Sequence, residues 1–349
     1  MPKRKIILFF GGESEEHKIS ILSAKNILRA IDKDRYQVCL VGITRSGVWR
    51  RIEPAQLLDS SYDEVEDKDS ETEVLFSFSK KMFCFVKKGS KQWIKFDNAF
   101  PILHGKNGED GTIQGFLEIA GINYVGGDVL GSAIGIDKEI SKKILQQADL
   151  LVAKYLTIQS SEKTPTYQTV SNLLGRSLYV KPARSGSSLG VSRVENEKQY
   201  KEALKAAHKV DSKIIVEENI IGREIECAVL GNLLPKVSTL GEVLVKDRFY
   251  SYEEKYNATS TTKVIIPAKL TEQEALTAKK LAMQAYKVLR CRGLARVDLF
   301  FSKNIFYVNE INTMPGFTNK SIYPKLWEDK GLSYKELVTC LLKLSDEKK

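Results

Sequence analysis

The sequence predicts an α/β protein of two or three domains, and three observations carry that prediction. A buried-type strand, a Gly-Gly turn, a helix and a second strand follow one another between residues 5 and 43, a β-α-β start that calls for a parallel sheet. Later in the chain, apolar runs separated by turn signals read as antiparallel strands, ending in LARVDLFFSKNIFYVNEINTMPGFT (residues 294–318). The 349 residues also exceed what one core of about 100–150 residues organises.

In chain order, residues 5–10 form the first strand. Gly11-Gly12 turns into a helical pattern over residues 14–30, and YQVCLVGI (residues 36–43) is the second strand. Residues 59–73 carry eight acids against one lysine and read as a solvated, mobile loop. EVLFSF, MFCFVKK and NAFPILHG follow as strand-like runs. A Gly-rich turn then leads to a helix from about Thr112, capped by Gly121. This first module ends near Gly126-Gly127.

Asp137 is a credible N-cap for a helix over residues 137–148. A strand at residues 152–158 leads into a Ser/Lys/Thr/Pro loop, and SLYVKPARSGSSLGVSRV sets two strands around the small-residue loop 185–190. A helix at residues 197–210 is followed by the strand KIIVEENI. REIECAVLGN and LPKVSTLGEVL are antiparallel strands turning at Gly231-Asn232. Residues 246–263 are polar and irregular, either a tolerant surface loop or an active-site lid. An amphipathic helix over residues 270–290 precedes the 294–318 hairpin, and helical patterns at 321–327 and 333–343 close the chain.

Composition narrows the function. Hydrophobic residues at 42% and charged residues at 28% are ordinary for a soluble globular protein. No stretch approaches the roughly 20 apolar residues of a membrane span, so no membrane partner is expected. Five scattered cysteines without a C-x-x-C suggest reduced thiols and a cytoplasmic protein. Only His17, His104 and His208 are present, which argues against a His-rich zinc site. The net charge of +10 raises nucleic-acid binding, yet Lys and Arg are spread without a basic run, and no nucleic-acid partner is expected.

Two stretches carry chemistry. In the hairpin, strand alternation puts Arg296 and Asp298 on one face of the first strand, and Glu310 and Asn312 on one face of the second. Two carboxylates and a carboxamide within apolar strands are costly to bury unpaired, and oxygen donors of this kind suit Mg²⁺. The competing reading is an edge hairpin with a solvated polar face. The loop 185–190 can offer backbone N–H groups and hydroxyls just after Lys181 and Arg184, which suits phosphate oxygens; the competing reading is a flexible turn. Neither the P-loop nor the dinucleotide fingerprint occurs.

Nine segments stand in one order: GGESEEHKIS (residues 11–20), LHGKNGEDGTIQG (103–115), YVGG (124–127), Asp137-Lys138, KPARSGSSLG (181–190), EENIIGREIECAVLG (217–231), EEKY (253–256), GLARVD (293–298) and EINTMPGFT (310–318). Together they resemble the D-alanine–D-alanine ligases of the ATP-grasp superfamily. The resemblance implies a three-domain ATP-grasp architecture with an N-terminal parallel-sheet domain. The divisions would be 1–126 for substrate, 127–221 as the central ATP-grasp unit, and 222–349 with the metal site and lid loop. It implies ATP-dependent joining of two D-alanines through a D-alanyl phosphate for peptidoglycan precursors, in a homodimer.

The resemblance also assigns residues. Asp298, Glu310 and Asn312 would hold two Mg²⁺ or Mn²⁺. Arg296, helped by the Gly316 N–H, would stabilise the transferred phosphoryl group and the oxyanion. ATP would meet Lys138, Lys181, Ser187, Ser188, Gly190 and Lys255 at its phosphates. Glu217, Glu218, Asn219 and Ile220 would form the adenine hinge, and Glu224 would hold the ribose. Glu16 would bind the ammonium of the first D-alanine, with His104 near its carboxylate and Ser321 on that of the second. Ser187 and Tyr256 would tie the lid to Glu16. On local grounds alone, Glu16 also reads as a charge at a helix N-terminus, and His104 as a strand-end histidine bonded to backbone. D-Serine is the alternative second substrate; D-lactate is disfavoured by Tyr256 and by the absence of histidine after His208. A non-catalytic ATP-binding module would be expected to lack a metal ligand or the lid tyrosine, and Asp298, Glu310, Asn312 and Tyr256 are all present.

Overall fold

A computed structural model describes residues 2–244 and 263–347. The N-terminal part contains β1 (Arg4–Gly11), α1 (His17–Ala30), β2 (Tyr36–Ile43), β3 (Trp49–Ile52), α2 (Pro54–Leu58), β4 (Glu73–Ser77), β5 (Met82–Lys87), β6 (Ser90–Ile94), β7 (Asn98–Pro101), α3 (Thr112–Ala120) and β8 (Asn123–Tyr124). Its eight strands lie in the order β6-β5-β4-β3-β2-β1-β7-β8. The β2-β1-β7-β8 half is parallel, as the β-α-β start requires. The other half is an antiparallel meander, so the sheet is mixed rather than purely parallel. Short connections such as Lys88-Gly89, both at positive φ, permit only antiparallel return.

The middle of the chain contains α4 (Val129–Ile136), α5 (Lys138–Gln147), β9 (Tyr155–Gln159), α6 (Tyr167–Leu174), β10 (Leu178–Pro182), β11 (Ser192–Val194), α7 (Glu197–His208) and β12 (Lys213–Glu218). Its four strands form an antiparallel sheet, β11-β10-β12-β9. The Asp137 carboxylate caps α5 by accepting the N–H groups of Glu139 and Ile140. Sequence reading missed α6, whose N-cap Thr166 accepts the Thr169 N–H and whose Val170 and Leu174 are buried.

The last part contains β13 (Arg223–Leu230), β14 (Lys236–Leu244), β15 (Lys263–Ile265), α8 (Glu272–Val288), β16 (Leu294–Ser302), β17 (Ile305–Asn312), α9 (Ile322–Asp329) and α10 (Tyr334–Leu344). The sheet order is β15-β14-β13-β16-β17, antiparallel throughout. The predicted hairpin is β16–β17, turning through Lys303 and Asn304, both at positive φ as a tight two-residue turn needs.

One core joins the first and last parts. Ile6, Leu8 and Phe10 of β1 and Ile21, Ala24 and Ile27 of α1 pack with Tyr323, Leu326 and Trp327 of α9 and Leu337, Leu341 and Leu342 of α10. The acidic loop departs from expectation. Val65 is 2% exposed in that core, its N–H donates to His17 Nε2 at 3.0 Å, and Lys18 and Arg45 pair with Asp63 and Glu64. Val65, with Tyr62 packed against the same core, anchors a segment that composition alone marks as mobile. Among the described residues, no helix is long and apolar enough to cross a membrane.

Candidate active site

A cavity of about 430 Å³ opens where the N-terminal end of α1, the loop 185–190 and the β16–β17 hairpin meet. Of the residues singled out from sequence, Glu16, His104, Lys138, Ser187, Arg296, Glu310, Asn312, Gly316 and Ser321 line it. Lys181, Ser188, Gly190, Glu217, Glu218, Asn219, Ile220, Glu224 and Asp298 are not part of that lining; they lie along or beside β10, β12, β13 and β16. Lys255 and Tyr256 lie outside the described residues.

The hairpin wall is built by cross-strand pairing. Arg296 stands opposite Asn312, and Asp298 opposite Glu310. Below them the register slips, because Asp298 pairs with Glu310 whereas Leu299 pairs with Val308, leaving Asn309 as a bulge. That extra residue changes the facing parity of β17. Val308 and Phe306 can pack with Leu299 and Phe301 in the core while Glu310 and Asn312 turn to the cavity. Alternation within each strand predicted the sharing of faces, but the bulge is what matches the two strands.

Arg296 holds Asp298 bidentately, with Nε and Nη2 each 2.7 Å from a carboxylate oxygen, and its Nε lies 3.1 Å from Glu226 Oε2. Burial opposes the guanidinium's charge, but Asp298 and Glu226 more than offset it, so its pKa rises well above the ordinary value. Asp298 also comes together with Glu224 and Glu226, a carboxylate oxygen of each lying within 4.8 Å of the others. Asp298, Glu310 and Asn312 offer carboxylate and amide oxygens, the donor set that a hard divalent cation prefers, so the residues present fit Mg²⁺ or Mn²⁺.

On the facing wall, Ser187 Oγ donates to Glu16 Oε1. Glu16 occupies the N-cap position of α1, the helix-end placement its local reading expects, and its side chain makes no capping hydrogen bond. Ser187 and Ser188 have φ of 51° and 59°, a left-handed pair that turns the loop sharply toward Glu16. His104 is buried, with Nδ1 3.1 Å from the Met314 carbonyl, and it also borders the cavity. Burial lowers its pKa and favours the neutral ring. A Cβ on Gly316 would fall 2.7 Å from Ser321 Oγ and force that hydroxyl to move; it accepts the Thr318 N–H at 2.9 Å.

Lys138 Nζ donates to the Ser185 carbonyl at 2.5 Å and lies 3.8 Å from Glu310 Oε2, linking the loop to the hairpin. Lys181 Nζ donates to Glu217 Oε2 at 2.7 Å. In the segment 217–220, Glu218 Oε1 accepts the Lys154 N–H at 2.8 Å, and Asn219 Nδ2 donates to Ser177 Oγ at 3.0 Å.

Three residues at this junction escaped the sequence reading. Glu226 follows Glu224 at strand spacing and pairs directly across from Asp298 on the same sheet face, a signal that was present. Lys142 lies four residues after Lys138 on α5, the spacing that stacks two side chains on one helix face. Glu109 lies inside the quoted GEDG run and accepts the Gly105 N–H at 2.9 Å. Burial, reinforced by Glu16, pushes the Glu109 carboxyl well above the usual range, although the Gly105 bond and Lys138 oppose the shift.

Two antiparallel sheets meeting at a cleft, preceded by a mixed α/β sheet whose first helix reaches the same cavity, define the ATP-grasp class. Residues 5–127 match the family described as D-ala D-ala ligase N-terminus, and residues 144–343 match D-ala D-ala ligase C-terminus. The chain is 45% identical to a D-alanine–D-alanine ligase of Oceanobacillus iheyensis over 99% of this chain and 96% of that one. It is 42% identical to D-alanine–D-alanine ligase A of Escherichia coli over 100% and 97%. The solved D-alanine–D-alanine ligase of Coxiella burnetii superposes with a TM-score of 0.85 at 35% identity, covering 98% of this chain and 95% of that one. The VanG D-Ala:D-Ser ligase of Enterococcus faecalis gives 0.87 at 35% identity, covering 99% and 100%. The chain belongs to the D-alanine–D-alanine ligase family.

Proposed function

We propose that this protein uses ATP to join two D-alanines into D-alanyl-D-alanine, releasing ADP and phosphate, for peptidoglycan precursor synthesis in the cytoplasm. The observation that supports this most is one cavity bordered by a helix-end carboxylate, Glu16 with Ser187, and by Arg296, Glu310 and Asn312 of the hairpin. An amino-acid ammonium fits the first group and a phosphoryl group fits the second. The names of the relatives that are 42–45% identical favour D-alanine over D-serine as second substrate. ATP use is supported by a related D-alanine–D-alanine ligase of Bacillus anthracis solved in complex with ATP.

The carboxylate of the first D-alanine attacks the γ-phosphate to give D-alanyl phosphate, and the amine of the second displaces phosphate. Such transfer depends on positioning and on neutralising charge. Glu16 holds the first ammonium, His104 stands near the first carboxylate, and Ser321 holds the second. Arg296 faces the moving phosphoryl group, and the Gly316 N–H faces the oxyanion. Lys138, Lys181, Ser187, Ser188 and Gly190 meet the nucleotide phosphates, Glu217 to Ile220 meet adenine, and Glu224 meets ribose. By the resemblance, Tyr256 would join the Glu16–Ser187 pair and Lys255 would serve the phosphates. Two Mg²⁺ or Mn²⁺ held by Asp298, Glu310 and Asn312 would supply phosphate charge neutralisation when bound. The functional divisions are 1–126, 127–221 and 222–349, in a homodimer.

The test is isotopic. With D-alanine labelled by ¹⁸O in its carboxylate, the oxygen that attacks phosphorus departs with phosphate when the amine arrives. One ¹⁸O should appear in each phosphate released per dipeptide; unlabelled phosphate accompanying dipeptide would exclude the acyl-phosphate route.

A further inference from the structure

On α5, Lys138 and Lys142 lie one turn apart and face the junction between the four-stranded and five-stranded sheets. Lys138 serves the cavity. Lys142 does not border it; its side chain is 1% exposed, with Nζ 3.2 Å from Glu217 Oε1 on β12. The same Nζ donates at 3.4 Å to the carbonyl of Asn309, the bulged residue of β17. The second oxygen of Glu217 accepts from Lys181 at 2.7 Å. One buried carboxylate thus sits between two lysines, a + − + triad whose excess positive charge also feels the carboxylate of Glu310.

Such an arrangement is costly unless a further anion arrives. Burial works against every member, yet the two lysines hold Glu217 down at about 2. Lys181, despite burial, is raised by Glu217, whereas burial and the charge of Lys181 lower Lys142. The two lysines also differ in freedom. Lys181 stands on β10, its side chain 12% exposed, at the edge of the loop that serves phosphate; Lys142 is enclosed and tied to the bulge.

We propose that Lys142 is a positioning residue of the nucleotide cleft: it keeps Glu217 neutralised so that Lys181 can leave Glu217 for a phosphate of ATP. Without Lys142, the buried Glu217 would have Lys181 as its near cation and would hold it back. The bond to Asn309 adds a second consequence, since the same ammonium braces the bulge that turns Glu310 and Asn312 to the cavity. The inference rests on the reading that this cleft binds ATP.

A double-mutant cycle tests it, with KM for ATP and for D-alanine measured in wild type, Lys142→Met, Glu217→Gln and the double variant. Lys142→Met should raise KM for ATP by about tenfold or more and leave KM for D-alanine within about twofold. On the Glu217→Gln background, where no carboxylate remains to hold Lys181, adding Lys142→Met should change KM for ATP by less than about twofold. An equal cost in both backgrounds, or an equal rise for both substrates, would overturn the positioning role. Should Lys142→Met fail to fold, Glu217→Gln against the double variant decides: a difference above about fivefold in KM for ATP overturns the proposal and near-equality supports it. A wild-type enzyme without saturable ATP dependence would refute the ligase reading, whereas saturable wild type with an additive cycle would refute only the role of Lys142.

Discussion

His17 shows how one side chain ties the site to the fold. It is fully buried at the first turn of α1, with Nδ1–H donating to the Gly12 carbonyl at 2.6 Å and Nε2 accepting the Val65 N–H at 3.0 Å. A protonated ring cannot accept that second bond. Burial, helped by Arg45, lowers its pKa, against the Gly12 bond and the charges of Glu64 and Asp63. The unfolded chain therefore binds more protons, so stability is full above 6.5, the ordinary imidazole value, and falls as pH drops below it. His104, lowered by burial, adds in the same direction. The melting temperature should fall between about pH 7.5 and pH 5.5, and the fall should be shallower in His17→Asn. Equal falls in wild type and variant would remove His17 from the account. Its residue type was legible in GGESEEHKIS; its role was not, because the partner Val65 is 48 residues away in sequence.

At the scale of elements, local chemistry carried most of what could be read. The Asp137 cap, the Gly121 stop of α3 at φ 70° and the Lys303-Asn304 turn are short-range devices and therefore visible in sequence. The bulge at Asn309 was not, because register is a property of two strands together. The acidic segment shows the same limit. Its composition favours solvent, while Val65 reaches the core beside Gly11 and Gly42, where a glycine Cβ would fall 3.1 Å and 2.8 Å from the valine methyls. Val65→Asp would place an unpaired carboxylate there, and should destabilise the protein by on the order of 3 kcal/mol. Proteolysis within residues 59–73 should accelerate with it. Unchanged denaturant midpoint and cleavage rate would show that the segment is not anchored through Val65.

At the scale of the whole molecule, the chain returns to its beginning. Leu337, Leu341 and Leu342 of α10 share a core with β1 and α1, and Asp346 accepts from Asn98 Nδ2 at 2.8 Å and from the Arg4 guanidinium. No periodicity predicts which sheet a terminal helix covers, so this closure was unreadable, although both final helices were. Residues named from short motifs scattered along the chain come together at one cavity, and that meeting point is three-dimensional. Glu16 and Ser187, 171 positions apart, touch across it. The central claim is that this meeting point joins D-alanine to D-alanine at the expense of ATP. The most direct measurement identifies the product when D-alanine, D-serine and D-lactate compete at equal concentration with ATP. D-Alanyl-D-alanine as the principal product, with one phosphate released per dipeptide, is expected; a mixed dipeptide or depsipeptide as principal product, or no ATP-dependent product, would contradict the account.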